Sequence, residues 1–339
     1  MISTLKQIST DCTDPYRNLA AEKLLTLDVR EGECILFLWQ NRRTVVIGRN
    51  QNAWEECAVR QLEGDGGHLA RRLSGGGAVY HDTGNLNFSF AVRKADYDTE
   101  KQSEVIRRAV RKLGIAAERT GRNDLEAGGR KFSGNAYYET RGCCCHHGTI
   151  MMDVDTDALA GYLTVSGTKL RSKGVASVRS RVVNLKELCP DITADKLKAA
   201  LLAAFGEEYE LPVQPLEADR LREADILREA AALSSEDWLF PPRIPFTAAL
   251  ENRWAWGGIR LELFVRGDRI ERAECVSDAM DESLIRRIRD ALQDCPYSGE
   301  ELAARVTGAA GEDGDAVTGP EQRRQTARDI AALILERIP

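Results

Sequence analysis

The sequence predicts an α+β chain of two unequal domains, a large one over residues 1–243 and a small α+β one over residues 244–339. Three observations carry that expectation. At 339 residues the chain is longer than one compact domain usually runs. Segments of strand period and of helix period are interspersed along it. Finally, Pro241-Pro242 and Pro245 break every periodic pattern at one place, as a linker does.

Asp14-Pro15 opens the first helix, with Asp as N-cap and Pro at the first helical position, and Leu19, Leu24 and Leu27 give it an apolar stripe. Cys34 to Trp39 and Thr44 to Ile47 are apolar runs joined by Gln40-Asn41-Arg42-Arg43, which is hairpin spacing. A short helix over Ala53 to Leu62 follows, then a turn at Gly64-Asp65-Gly66-Gly67. Leu86, Phe88 and Phe90 alternate with Asn87 and Ser89 as in a half-buried strand. Glu100 to Leu113 reads as a helix carrying Val105, Ile106, Ala109 and Val110 on one face. Lys131 to Tyr138 and Gly148 to Val154 read as strands, which leaves Cys143-Cys144-Cys145 in a turn between them. The basic stretch Thr168 to Arg181 has no apolar period and is expected to be a mobile loop. Helices are expected near Thr193 to Phe205 and Glu217 to Ala232. Beyond the prolines, Ile259, Leu261, Leu263 and Val265 alternate into a hairpin turn at Arg266-Gly267-Asp268-Arg269. Helices over Asp281 to Leu292 and Pro320 to Ile338 complete the small domain, and Gly308 to Gly319 is expected to be loosely ordered.

Composition narrows the function classes. The formal charge of −6 disfavours nucleic acid and membrane surfaces as partners, which call for excess Lys and Arg. No apolar run reaches the length of a membrane span, and the N-terminus has no signal-peptide pattern. Nine cysteines, an odd number without a secreted-scaffold spacing, read as reduced thiols of a cytoplasmic protein.

The chemistry concentrates in two segments. In Arg71-Arg72-Leu73-Ser74-Gly75-Gly76-Gly77-Ala78-Val79-Tyr80-His81-Asp82, three glycines let backbone N–H groups close on an anion, and two arginines offer planar charge for phosphate. The segment lacks the Gly-Lys-Ser/Thr ending of a P-loop and the spacing of a dinucleotide fingerprint. On composition alone, a glycine turn beside a surface arginine pair fits equally well. In the second segment, Asn123-Asp124 precedes a Gly128-Gly129 turn and Lys131 at a strand start. Carboxylate, phosphate and Mg²⁺ could share such a site, because Mg²⁺ needs few protein carboxylates when phosphates are present. An exposed strand-end lysine is the plainer alternative.

Arg71 to Asn85, Gly121 to Tyr138, His146-His147-Gly148-Thr149 and Ser177 to Val182 together closely resemble the lipoate–protein ligase A family. Val46 to Asn52, Ser172-Lys173-Gly174 and Trp254 to Gly258 extend the likeness over nearly the whole chain. The resemblance implies a large catalytic domain with a mixed β-sheet flanked by helices, related to biotin ligases and class II tRNA synthetases, and a small accessory domain. It implies an ATP- and Mg²⁺-dependent activation of lipoate or octanoate as the acyl-adenylate. The acyl group would pass to a lysine of apo lipoyl domains in 2-oxo-acid dehydrogenase complexes or of the glycine-cleavage H protein, with the enzyme a monomer. Carried over residue by residue, Lys131 is the catalytic group that meets both the lipoyl carboxyl and the α-phosphate. Arg72, Gly77, Ala78, Val79 and Tyr80 join it on ATP, and Ser74, Gly75, Gly76 and His81 join it on lipoate. Asp124 falls on the Mg²⁺ position, and Lys173, Gly174, Ser177 and Arg179 fall on the adenylate-covering loop.

Two rival readings stand beside this one. A transferase of the same fold would move the acyl group through a cysteine thioester without ATP, and a non-catalytic binder would only hold the adenylate. Cys143-Cys144-Cys145-His146-His147 presents soft ligands, yet adjacent residues of an extended segment point to opposite faces, so no metal site is expected there. His146 and His147 are expected to serve strand and pocket architecture.

Overall fold

The computed structural model describes residues 1–121, 123–164, 181–241, 244–311 and 318–338. Its strands, in chain order, begin with β1 (Thr4–Ser9), β2 (Glu33–Trp39), β3 (Thr44–Ile47), β4 (His68–Arg71), β5 (Val79–His81) and β6 (Asn85–Arg93). β7 (Glu118–Thr120), β8 (Asp124–Ala127), β9 (Arg130–Thr140), β10 (Cys143–Met151) and β11 (Val213–Pro215) follow. The C-terminal domain adds β12 (Ala248–Trp254), β13 (Gly257–Arg266), β14 (Arg269–Ser277) and β15 (Cys295–Pro296).

The centre is a mixed eight-stranded sheet in the order β11-β1-β2-β6-β10-β9-β8-β7. β1 runs parallel to both of its neighbours, and the remaining pairs are antiparallel. Both faces are covered. The helices Thr99–Lys112 and Ala194–Tyr209 bury Val105, Ile106, Leu197 and Phe205 against Leu36, Leu38, Phe88 and Phe90. On the other face the helices Pro15–Asp28 and Glu223–Leu233 pack with Ile35, Phe37, Trp39 and Ala91. A second sheet, β4-β3-β5, shares this side and contributes Val46 and Ala70 to the same cluster. The mixed sheet between helical layers is the architecture expected from the resemblance.

Several local expectations change. Glu33–Trp39 and Thr44–Ile47 do not form a hairpin: β2 pairs with β1 and β6, while β3 pairs with β4 and β5 in the other sheet. Asn41 in the connection is buried, accepting from Asn18 Nδ2 at 3.0 Å and meeting His81 Nδ1 at 3.2 Å. Those bonds tie the connection inward, so the chain steps between sheets. β6 is buried on both faces: Ser89 bonds to Glu22 of the first helix, and Asn87, on the same face, accepts from Asn85. The stripe of that helix holds Leu19 and Leu25 with the polar Asn18, Glu22 and Thr26, and Leu24 and Leu27 lie at its margins. Ala53 to Leu62 is two short helices, Ala53–Glu56 and Val59–Gly64, interrupted where Cys57 bridges Leu163. Glu217 to Ala232 divides into a 3-10 turn and the helix Glu223–Leu233.

The cysteine run is not a turn. Cys143, Cys144 and Cys145 open β10, paired on both sides with β6 and β9 and buried. The turn falls on Arg141-Gly142, both at positive φ. The expected loop over 168–181 lies, apart from Arg181, outside the described residues, and with it Lys173, Gly174, Ser177 and Arg179.

In the C-terminal domain the antiparallel sheet β12-β13-β14-β15 buries Ile259, Leu261 and Leu263 under the helices Glu282–Ala291, Gly299–Ala309 and Pro320–Arg337. The expected turn closes β13 onto β14, with Arg266 opposite Arg269. The helix Gly299–Ala309 has no counterpart in the sequence reading, and it takes in the start of the stretch expected to be loose. No helix among the described residues is long and apolar enough to cross a membrane.

Candidate active site

The hairpin β8–β9 places the first pair of predicted residues. Gly128 and Gly129 form its two-residue turn at φ 58° and 72°, the left-handed pair that matches strand twist. Register then slips: Leu125 faces Ser133, but Glu126 faces Lys131, leaving Phe132 as the extra residue of a bulge. In a regular strand Lys131 and Gly134, three apart, would project to opposite faces. The bulge brings them to the same side. Lys131 Nζ lies 2.7 Å from Asp124 Oδ1, both side chains about one third exposed, with the lysine chain lying over Gly134. A Cβ on Gly134 would stand 2.8 Å from Nζ. Val183 N–H donates to the Lys131 carbonyl at 2.9 Å, so residues 182–183 run beside this pair.

The glycine segment is held from within. Arg72 is 6% exposed, and its guanidinium donates to Ser74 Oγ at 2.9 Å and to the carbonyls of Val46, Gly75 and Gly77 at 3.1, 2.7 and 2.7 Å. Burial lowers its pKa to about 10. Arg71 is committed elsewhere, to the carbonyls of Gly48, Arg49, Gln51, Trp238 and Leu239 at 2.6–3.2 Å. Neither arginine stands as a surface cation, which removes the plainer reading of this segment and the phosphate role for Arg71. Gly76, at φ 88°, donates its N–H to Ala279 O of the C-terminal domain at 2.9 Å. A Cβ on Gly75 would meet that same carbonyl at 2.3 Å. Ala78 and Tyr80 pack beneath this strand with Tyr162, while Val79 faces the first helix.

Behind the glycines runs a buried polar track. Ser74 Oγ meets His147 Nε2 at 2.7 Å, and His147 Nδ1 meets Glu22 Oε2 at 2.8 Å. Ser74 Oγ also accepts from Arg72, so the hydroxyl joins the guanidinium to the ring, and the ring joins it to Glu22. Glu22 also accepts from Ser89 Oγ at 2.5 Å, and Ser89 from Trp39 Nε1 at 3.0 Å. The track links a buried cation to a buried anion through hydrogen bonds, which is how such charges are tolerated. His81 is 3% exposed against the edge of Trp39, and burial with nearby Arg72 and His147 lowers its pKa to about 3. Its Nε2 and the Nδ2 of Asn87 are buried without a partner.

Glu22, Trp39, Asn41 and Ser89 escaped the sequence reading. One signal existed: Glu22 falls three residues after Leu19 and three before Leu25, on the apolar face of its helix. Glu22, Cys145 and His147 offer ligand atoms within 4.8 Å of one another. Burial pushes the Cys145 thiol well above its ordinary value, which makes it a poor metal ligand. A cavity of about 80 Å³ opens between the domains at Gln51, Glu55, Arg253 and Arg260, and none of the predicted site residues lines it.

Residues 14–206 match the family model of the lipoyl protein ligase A/B catalytic domain, more than half of the chain. The chain belongs to that family. Residues 243–312 match the bacterial lipoate protein ligase C-terminus. Among solved structures, this lipoyl ligase family member is similar to P. falciparum LipL1 in complex with lipoate. The two are 26% identical with a TM-score of 0.84, over 98% of this chain and 100% of that one. It is also similar to lipoate-protein ligase A bound with ATP, at 28% identity and TM-score 0.60 over 70% of this chain and 98% of that one. A bipartite lipoate protein ligase, described with its E2 lipoyl domain from Thermoplasma acidophilum, aligns at 28% identity. Its TM-score is 0.62, over 73% of this chain and 100% of that one. The mixed sheet flanked by helices and the C-terminal antiparallel sheet are the lipoate-ligase fold.

Proposed function

We propose that the protein is an ATP-dependent lipoate–protein ligase, with residues 1–243 as catalytic domain and 244–339 as accessory domain. The lipoate carboxylate attacks the α-phosphorus of ATP, pyrophosphate leaves, and lipoyl-adenylate forms. The ε-amine of a lysine on an apo lipoyl domain then attacks the acyl carbon, and AMP leaves. The observation that carries the reading is Lys131, laid over Gly134 beside Asp124 in the β8–β9 hairpin. Two anions must meet in the first step, and a fixed ammonium neutralises the charge where it develops. Asp124 is a single, part-exposed carboxylate already shared with Lys131, which fits a Mg²⁺ held chiefly by phosphates. It would supply the counter-charge for the departing pyrophosphate.

The glycine segment and the polar track divide the remaining roles. Gly77, Ala78, Val79 and Tyr80 serve the nucleotide on a segment that the buried Arg72 holds in shape from within, and Ser74, Gly75, Gly76 and His81 serve the acyl chain. Support comes from relatives of the same fold that hold lipoate and ATP. The cysteine-transferase reading loses its candidates, since Cys143, Cys144 and Cys145 are each at most 1% exposed and inside β10. The test is incubation with lipoate, ATP, Mg²⁺ and an apo lipoyl domain, with the acceptor weighed by mass spectrometry. A lipoyl adduct that requires ATP is expected, and Lys131→Ala should abolish it and pyrophosphate release while remaining folded. Turnover near the wild-type rate in folded Lys131→Ala sinks the assignment.

A further inference from the structure

Adjacent histidines of β10 serve opposite faces of the sheet: His147 bonds to Ser74 behind the glycine segment, and His146 lies on the other side. His146 is fully buried among Tyr137, Phe88 and Phe90, whose ring centroids lie 4.7, 5.4 and 5.9 Å away. Its Nδ1 lies 3.0 Å from Gln102 Oε1 and its Nε2 lies 2.9 Å from Asn135 Oδ1. Gln102 belongs to the helix Thr99–Lys112 on the side of the sheet away from the glycine segment.

With Gln102 Oε1 and Asn135 Oδ1 as partners, both ring nitrogens face acceptors, which only a charged imidazolium would satisfy. Burial holds His146 well below its ordinary pKa, so the ring is neutral and carries one proton. Gln102 Nε2 is at the same time a buried donor without a partner. Turning the Gln102 amide over resolves both conflicts, since Nε2 then donates to His146 Nδ1 and the ring donates from Nε2 to Asn135. Asn135 passes the constraint on. Its Nδ2 and its backbone N–H both donate to Asn123 O at 2.9 Å, and Asn123 Nδ2 returns to Asn135 O at 2.7 Å. Asn123 immediately precedes Asp124, the partner of Lys131.

We propose that Gln102, His146 and Asn135 are positioning residues, a buried relay that sets the Asn123-Asp124 turn against Lys131 for the adenylation step. The relay touches no reacting atom. It acts because a misplacement of about 1 Å at a reacting group costs on the order of a hundredfold in rate. The inference rests on the ligase reading, and it separates the two half-reactions. Pyrophosphate is already gone when the acceptor lysine attacks, so the Asp124 position matters chiefly before that point.

The experiment compares His146→Leu, which cannot donate, with His146→Gln, whose amide Nε2 stands where the ring Nε2 does, and adds Gln102→Met as a mild, near-isosteric probe. Adenylation is read as lipoate-dependent ATP–pyrophosphate exchange, and transfer is read from synthetic lipoyl-adenylate to an apo lipoyl domain. In His146→Leu and Gln102→Met the exchange kcat should fall about tenfold or more. The KM for lipoate should stay within about twofold, and transfer should be nearly unchanged. His146→Gln should recover most of the loss, and amide hydrogen exchange at Asn123 to Leu125 should quicken in the two impaired variants. Equal losses in both half-reactions, unchanged exchange kinetics, or no recovery by Gln overturn the relay. If His146→Leu does not fold, Gln102→Met alone decides between these outcomes. A wild-type chain that forms no adenylate overturns the ligase reading, and the relay with it.

Discussion

Lys131 reaches Asp124 because Phe132 is an extra residue in its strand. The 2.7 Å contact depends on the bulge that turns Lys131 onto the side of Gly134, and on the missing side chain at Gly134 that leaves room for it. Phe132 itself is fully buried in the core under the helix Thr99–Lys112, which anchors the bulge.

Gly134→Ala should therefore act on chemistry more than on stability. The new methyl group meets the end of a flexible lysine and not backbone, so Lys131 swings aside at little folding cost. ATP–pyrophosphate exchange should drop about tenfold or more, with the urea midpoint close to wild type. Full activity in this variant would show that the lysine does not work from its observed position.

The three cysteines of β10 should prove dispensable for turnover. Cys143→Ala, Cys144→Ala and Cys145→Ala, made singly, should each keep ATP-dependent lipoylation within about tenfold, or about 1.4 kcal/mol of barrier. Native-state alkylation should leave these three thiols unmodified, because each is at most 1% exposed. An acyl-enzyme adduct formed without ATP would favour the transferase instead.

Arg71 should be a stability residue. Its guanidinium joins five carbonyls from two separate segments, residues 48–51 and 238–239. Arg71→Lys keeps the charge but loses the planar fork, and should cost about 3 kcal/mol in a denaturant titration. A loss below about 0.5 kcal/mol, the range of ordinary surface changes, would contradict the pinning role.

His81 should make stability fall in acid. Unfolded histidine takes up a proton below about 6.5, whereas native His81 stays neutral down to about 3. The unfolded chain thus binds more protons between those limits, and each pH unit lost there costs about 1.4 kcal/mol from this group. Urea midpoints at pH 7, 6 and 5 should decline, and His81→Asn should flatten the decline. An unchanged slope in the variant would assign the effect elsewhere. His146, also held below its ordinary value, contributes with the same sign.

Much of the architecture was legible in the residues. Asp14 does cap the first helix, accepting from Tyr16 and Arg17 N–H, and the alternation from Ile259 does form β13. Ordered motifs placed the chain in its family, because glycines, arginines and the strand lysine are local requirements of backbone conformation and charge. What local pattern could not carry was which side of a sheet each residue meets. The spacing of Cys34–Trp39 and Thr44–Ile47 is that of a hairpin, yet each run pairs in a different sheet, and buried bonds of the connection, those of Asn41 among them, tie it inward between the two. Arg72 reads as a phosphate cation from composition, yet the fold wraps it in carbonyls and joins it through Ser74 and His147 to Glu22, far away in the chain. Strand periodicity places His146 and His147 on opposite faces but cannot say what covers either one. The tertiary structure decides that, because a buried polar group must find its partner wherever packing supplies one.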